Sequence, residues 1–119
     1  MYLEKIDAAV EDGEISSFRA GVLKALLEIP KGRVTTYKYL AEHVNCASSQ
    51  SIGQAIKFNP WSPGVPCHRV IKTNLTLGGF HGETEGPQII RKRKLLGTEG
   101  VSFTDQGELC DQGLVFDFK

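Results

Sequence analysis

In the stretch GVPCHRV, Gly64 to Val70, a cysteine stands directly before a histidine and an arginine. A thiol there can serve packing, metal ligation or nucleophilic attack. Attack needs a base, because a thiol with a pKa of about 8.5 is only a few per cent thiolate at neutral pH. His68 is the nearest candidate. In an extended backbone adjacent side chains point to opposite sides, so His68 reaches the Cys67 sulfur only through a water or at a turn. A carboxylate on the far ring nitrogen would hold the tautomer, and local sequence leaves Glu99 and Glu83 both open for that role. Metal ligation is disfavoured: Cys46, Cys67 and Cys110 are widely spaced with no C-x-x-C pair, so no metal is expected.

The elements around this stretch must hold it still. Pro60, Pro63 and Pro66 recur at every third position before Cys67, and each restricts itself and the residue before it. The approach is therefore stiff, which suits a reactive wall or an inert connector. Upstream, residues 2–11 read as an amphipathic helix ended by Gly13. Ser16 or Ser17 caps a second helix with Phe18, Val22, Leu26 and Ile29 on one face, stopped by Pro30 and Gly32. Val34 and Thr35 form a short strand, and Thr35 or Thr36 caps a third helix over residues 37–44. NCASS is a turn, and a fourth helix covers residues 49–58. That order is that of a winged helix-turn-helix. Gly53 and Ala55 inside the fourth helix imply close approach to its backbone, by another helix or by a nucleic-acid groove, since an interior glycine costs roughly 1 kcal/mol.

Beyond the cysteine, VIKTNLTLGGF reads as a strand, a turn at Thr73 and Asn74, and a return. Residues 88–97 form a helix with Ile89, Ile90, Leu95 and Leu96 inward, its RKRK run a solvated face. The tail repeats DQG at 105–107 and 111–113 as turns among short strands, with no function assigned. Cys46, Cys110 and His43 are read as structural.

Length and composition bound the rest. A chain of 119 residues is long enough for one core. No apolar run approaches the roughly 20 residues of a membrane span, the N-terminus lacks a signal-peptide pattern, and the odd cysteine count fits reduced thiols, so a cytoplasmic location is expected. Fourteen basic residues balance fourteen acidic ones. A nucleic-acid partner therefore depends on local clustering of the basic residues in the central part of the chain.

The segments NPWSPGVPCHRVI, GGFHG, GRVTTYKYLA and KLLGTEGV together resemble the DNA-binding and active-site domain of the methylated-DNA-protein-cysteine methyltransferases, which repair 6-O-alkylguanine. The match runs from about Phe18 to Val101. It implies a fold that is mainly α with short β elements: a winged helix-turn-helix of the alkyltransferase type without its usual N-terminal domain. The expected division is a helical extension at 1–15, the alkyltransferase domain at 16–103 and a tail at 104–119. The resemblance implies irreversible transfer of an alkyl group from the guanine 6-oxygen to Cys67 after base flipping, with no cofactor. His68 would be the base through a water, Glu99 the carboxylate orienting it, and Asn59 an organiser of the turn. Main-chain groups at Val65, Cys67 and Val70, with Pro66, Phe80 and His81, would form the base pocket. Tyr37, Lys38, Asn45, Gln50, Ser51, Gly53, Lys57, Arg69 and Thr73 would meet DNA. The expected partner is double-stranded DNA carrying alkylated guanine, bound by a monomer away from membranes, in the nucleoid if the source is prokaryotic.

Departures from the family pattern matter. Gln50 occupies the position of the family's intercalating arginine and lacks its planar charge, which implies weaker hold on DNA or slower repair. Phe80 replaces a frequent tyrosine, and the loop HGETEGPQ is longer than usual and acidic. The alternative is a non-enzymatic alkyltransferase-like lesion binder. Such proteins commonly replace the cysteine by tryptophan, and this chain keeps it.

Overall fold

The computed structural model describes residues 2–57, 59–61, 64–78 and 86–118. Helix α1 (Tyr2–Glu11) ends through Gly13, whose φ of 75° is a left-handed conformation that glycine adopts without strain. Helices α2 (Ser17–Leu26), α3 (Tyr37–His43) and α4 (Ser49–Ile56) begin at hydroxyl caps. Ser16, Thr36 and Ser48 accept from the amides of Arg19, Tyr39 and Ser51 at 3.1, 3.1 and 3.2 Å. The α2 helix stops before Ile29 because residues 27–29 tighten into i→i−3 bonds, and Phe18 lies outward at 43% exposure rather than on the buried face. Helix α4 is assigned to Ile56; Phe58 lies outside the described residues.

Strands β1 (Thr35–Thr36) and β2 (Val70–Ile71) pair in parallel, Thr35 with Val70 and Thr36 with Ile71. Successive strand residues point to opposite faces, and this pair uses both. Val70 enters a cluster with Ile6, Leu23, Leu26, Leu40, Ile52 and Cys67, while Ile71 enters a second cluster with Val34, Leu77, Leu96 and Phe103. A turn follows β2, closed by Lys72 and Thr76. Helix α5 (Pro87–Thr98) starts on a proline, whose missing amide hydrogen costs nothing at a helix N-terminus. Two expectations fail on α5: Ile90 is 68% exposed, and Lys92, placed on the solvated face by its basic neighbours, is fully buried.

The tail closes the fold. Val115 pairs with Val34, extending the small sheet by a bridge, and Phe116 and Thr35 exchange contacts through the Thr35 hydroxyl at 2.7 Å. The second DQG begins a 3₁₀ turn, Gln112–Leu114. Among the described residues no helix is long and apolar enough to cross a membrane.

Candidate active site

Pro66 ends the stiff approach, and Cys67 opens a 3₁₀ turn, Cys67–Arg69. This is the departure from extended backbone that a cysteine and a neighbouring histidine need in order to serve one site. Both are buried, at 4% and 1% exposure. Behind them Asn59 closes the proline loop: Nδ2 donates to the Val65 carbonyl at 2.7 Å and Oδ1 accepts from the Trp61 amide at 2.9 Å.

His68 Nε2 lies 3.2 Å from Glu99 Oε2, and Glu99 is the C-cap of α5. Of the two carboxylates left open by the sequence, Glu99 is at hydrogen-bond distance from His68; Glu83 lies outside the described residues, as do Phe80 and His81. Arg69 grips the same carboxylate with both edges of its fork, Nε to Oε1 at 2.9 Å and Nη2 to Oε2 at 2.7 Å, and sends Nη1 to the Ile29 carbonyl at 2.9 Å. A carboxylate only accepts, so the network assigns the ring proton to His68 Nε2. The opposite nitrogen, Nδ1, is buried and has no hydrogen-bond partner among the described residues. It is free to accept a proton.

Electrostatics keep that nitrogen neutral. Burial pulls His68 below its ordinary 6.5, and the Glu99 contact opposes this only partly. Burial pushes the Glu99 carboxyl up, but its bonds to Arg69 and His68 outweigh this and hold it below the usual range. Tyr37, at the start of α3, is raised above 10 by burial and then by the charge of Cys67, so its hydroxyl stays protonated at neutral pH.

The residues expected at DNA divide. Lys38 and Thr73 line an open cavity of about 350 Å³ between α3 and the turn after β2. Gln50 and Ser51 are exposed on α4, and Asn45 holds φ 57° where α3 leads toward α4. A Cβ added to Gly53 would meet no atom within 4 Å, so helix packing does not explain this glycine and the face is open. The Lys57 carbonyl, with that of Ala55, is held by Arg19 at 2.9 Å, which finishes α4. Two residues of the expected set are engaged within the protein. Arg69 spends its guanidinium on Glu99 and the Ile29 carbonyl. Val65 has its amide on the Trp61 carbonyl and its own carbonyl filled by Asn59 and Cys67, leaving neither to read a base. Val70 keeps one carbonyl lone pair, the other taken by Lys92.

Lys92 is the residue that sequence reading passed over. Positions 89, 92 and 96 share one helix face, so the periodicity that placed Ile89 and Leu96 inward also carried the signal for Lys92. Among the described residues no group of His, Cys, Asp and Glu could hold a metal ion.

The protein-family model for the 6-O-methylguanine DNA methyltransferase, DNA binding domain, matches residues 17–101. The chain belongs to this family. A methylated-DNA–protein-cysteine methyltransferase of Pyrobaculum aerophilum is 42% identical over 81 residues, which is 68% of this chain and 51% of that protein. The crystal structure of Mycobacterium tuberculosis OGT in complex with DNA superposes with TM-score 0.63 at 37% identity, covering 71% of this chain and 50% of that one. The S. pombe ATL structure in complex with DNA reaches TM-score 0.69 at 31% identity, covering 86% of this chain and 96% of that one. The chain spans about half the length of the curated relatives it matches. Within this methyltransferase family region lie Tyr37, Asn59, Cys67, His68, Lys92 and Glu99; α1 and the C-terminal strap lie outside it.

Proposed function

We propose that this chain is a single-turnover DNA alkyltransferase that binds double-stranded DNA, turns an alkylated guanine out of the stack and takes the alkyl group onto Cys67. The observation that carries the reading is the buried thiol beside a His68–Glu99–Arg69 chain whose histidine keeps an unprotonated Nδ1. In the proposed reaction His68 accepts the thiol proton at Nδ1 through a water. The thiolate attacks the alkyl carbon, the S–C bond forms as the C–O bond breaks, and the electron pair leaves with the guanine oxygen. One proton returns to the guanine, which regains its ordinary neutral form. The thioether is stable, so each molecule reacts once.

The open face around Gly53, with Gln50 and Ser51, supports a groove approach in which shape is read more than sequence. The second reading is a lesion binder that does no chemistry, favoured by the 96% coverage of the S. pombe ATL structure. Intact mass separates the two. Mixed with a duplex containing 6-O-methylguanine, the protein is expected to gain one methyl group, and Cys67→Ser to gain none while still binding the duplex. Tight binding by the unsubstituted chain with unchanged mass would replace the enzyme by the lesion binder.

A further inference from the structure

Helix α1 lies outside the family-matched residues 17–101, yet it reaches the reactive loop. Its Ile6 and Ala9 are buried, Ile6 in the same cluster as Val65 and Cys67, and Tyr2 stands one turn before Ile6 on the same side of the helix. The Tyr2 ring lies against the backbone of Gly64, three positions before the cysteine. A Cβ added to Gly64 would overlap the Tyr2 hydroxyl and fall 2.6 Å from Tyr2 Cε2, well inside the roughly 3.5 Å at which carbon atoms pack. Only glycine admits the ring this closely. Two further contacts hold the ring in place: Asp7 pairs with Lys24 and ties α1 to α2, and Lys5 Nζ stands 5.4 Å from the Tyr2 ring centroid.

We propose that Tyr2 is a positioning residue of the alkyl-transfer site, its ring closing on Gly64 and so holding the Gly64–Cys67 segment at the depth the sulfur needs. This rests on the reading of Cys67 as the alkyl acceptor. Gly64 is the loose joint of the approach: it sits between Pro63 and Pro66 with no side chain of its own to anchor it. Past it, the Val65 carbonyl is held by the Asn59 side chain and the Cys67 amide, both from within the loop. Tyr2 supplies the hold from a separate element. Ile6 seats α1 in the core cluster that contains Cys67, so the ring and the sulfur are placed by one body of packed side chains. In-line displacement depends on that placement, since a misplacement on the order of 1 Å can cost a hundredfold in rate.

The test separates the rate of methyl transfer at saturating duplex from duplex affinity, in the full chain. Tyr2→Ala is expected to slow transfer at saturation roughly tenfold with affinity within about twofold, because α1 carries none of the residues expected at DNA. Tyr2→Phe keeps the ring and is expected to keep the parent rate. Gly64→Ala puts a methyl group where the ring lies and is expected to slow transfer as Tyr2→Ala does. In the Tyr2→Ala background it should add little, since both changes break one contact. Transfer by Tyr2→Ala at the parent rate, a loss confined to duplex affinity, or two effects that simply multiply would leave the ring a structural role only and overturn the proposal. Amide exchange is read in parallel: Val65 and Cys67 are expected to exchange faster in Tyr2→Ala, with residues 37–43 unchanged. Should the parent accept no methyl from DNA, exchange decides. Faster exchange at Val65 and Cys67 keeps the Tyr2 hold on the loop while removing the alkyltransferase reading, and unchanged exchange removes both.

Discussion

Asn59 closes the proline loop with a single buried amide, bonded at both ends to main-chain groups of Val65 and Trp61. Replacing it by alanine removes one of the two donors to the Val65 carbonyl, which keeps the Cys67 amide, and leaves the Trp61 amide without its acceptor; an unpaired polar group shielded from water costs about 1–3 kcal/mol. Asn59→Ala is therefore expected to lose about 1–3 kcal/mol of stability in urea titration. Methyl transfer should fall by more than duplex binding, because a displacement on the order of 1 Å at the nucleophile can cost a hundredfold in rate. A variant as stable and as fast as the parent would show that the prolines alone hold the loop. The role of Asn59 as a loop organiser entered only through the family resemblance, not from its place before the prolines. That Arg69 turns inward was not legible in the sequence, since an arginine beside a reactive cysteine reads equally well as a phosphate ligand until its carboxylate partner is located.

At the scale of elements, the C-terminal strap is the part whose role sequence left blank. It pairs Val115 with Val34, and Arg33 donates to the Val115 carbonyl at 2.7 Å. Phe118 stacks on His43 of α3 with ring centroids 4.3 Å apart, while His43 also contacts Glu28 at 2.8 Å. The strap thus braces β1 and α3, the elements that carry Tyr37 and Lys38. Ending the chain after Asp111 exposes this apolar surface and frees the Val34 main chain. A loss of about 2–4 kcal/mol is expected, with faster amide exchange at residues 34–43 and weaker duplex binding, but with Cys67 reactivity toward iodoacetamide preserved. Exchange rates unchanged at 34–43 would count against the brace. The caps of α2 and α3 were readable because Ser16 and Thr36 act on amides three residues away; the strap was not, because its partners lie about eighty positions upstream, as in the Arg33 bonds.

For the whole molecule the buried ionisable groups set the pH dependence of stability. Glu99 has a folded pKa below its ordinary 4.5, so its contribution is present above 4.5 and is lost as pH falls through the folded value. His68 is lowered from 6.5, so the unfolded chain takes a proton first and stability falls as pH drops below 6.5. Lys92 is lowered from 10.5 to about 7; between those values the unfolded chain again holds the extra proton, and stability climbs with pH. Tyr37 is raised above 10, so the unfolded chain loses its proton first and stability turns down above that pH. The sum places maximum stability on the alkaline side of neutrality, checked by urea midpoints from pH 4.5 to 10. A maximum at or below pH 7 would contradict the buried, partly discharged Lys92.

Local signals determined what lies within a turn or two of chain: the hydroxyl caps, the proline-stiffened approach, the helix-turn-helix order, and a cysteine–histidine pair that needed a turn to be useful. Tertiary structure alone decided that Glu99 meets His68, that Arg69 faces inward, that the Gly53 face is open and that Lys92 is buried on the Val70 and Leu77 carbonyls. Caps and periodicities act over three or four residues and are written in the order of the side chains. The Arg69–Glu99 grip spans 30 positions, and which charges meet across such a distance depends on how the two apolar clusters pack on either side of the β1–β2 pair.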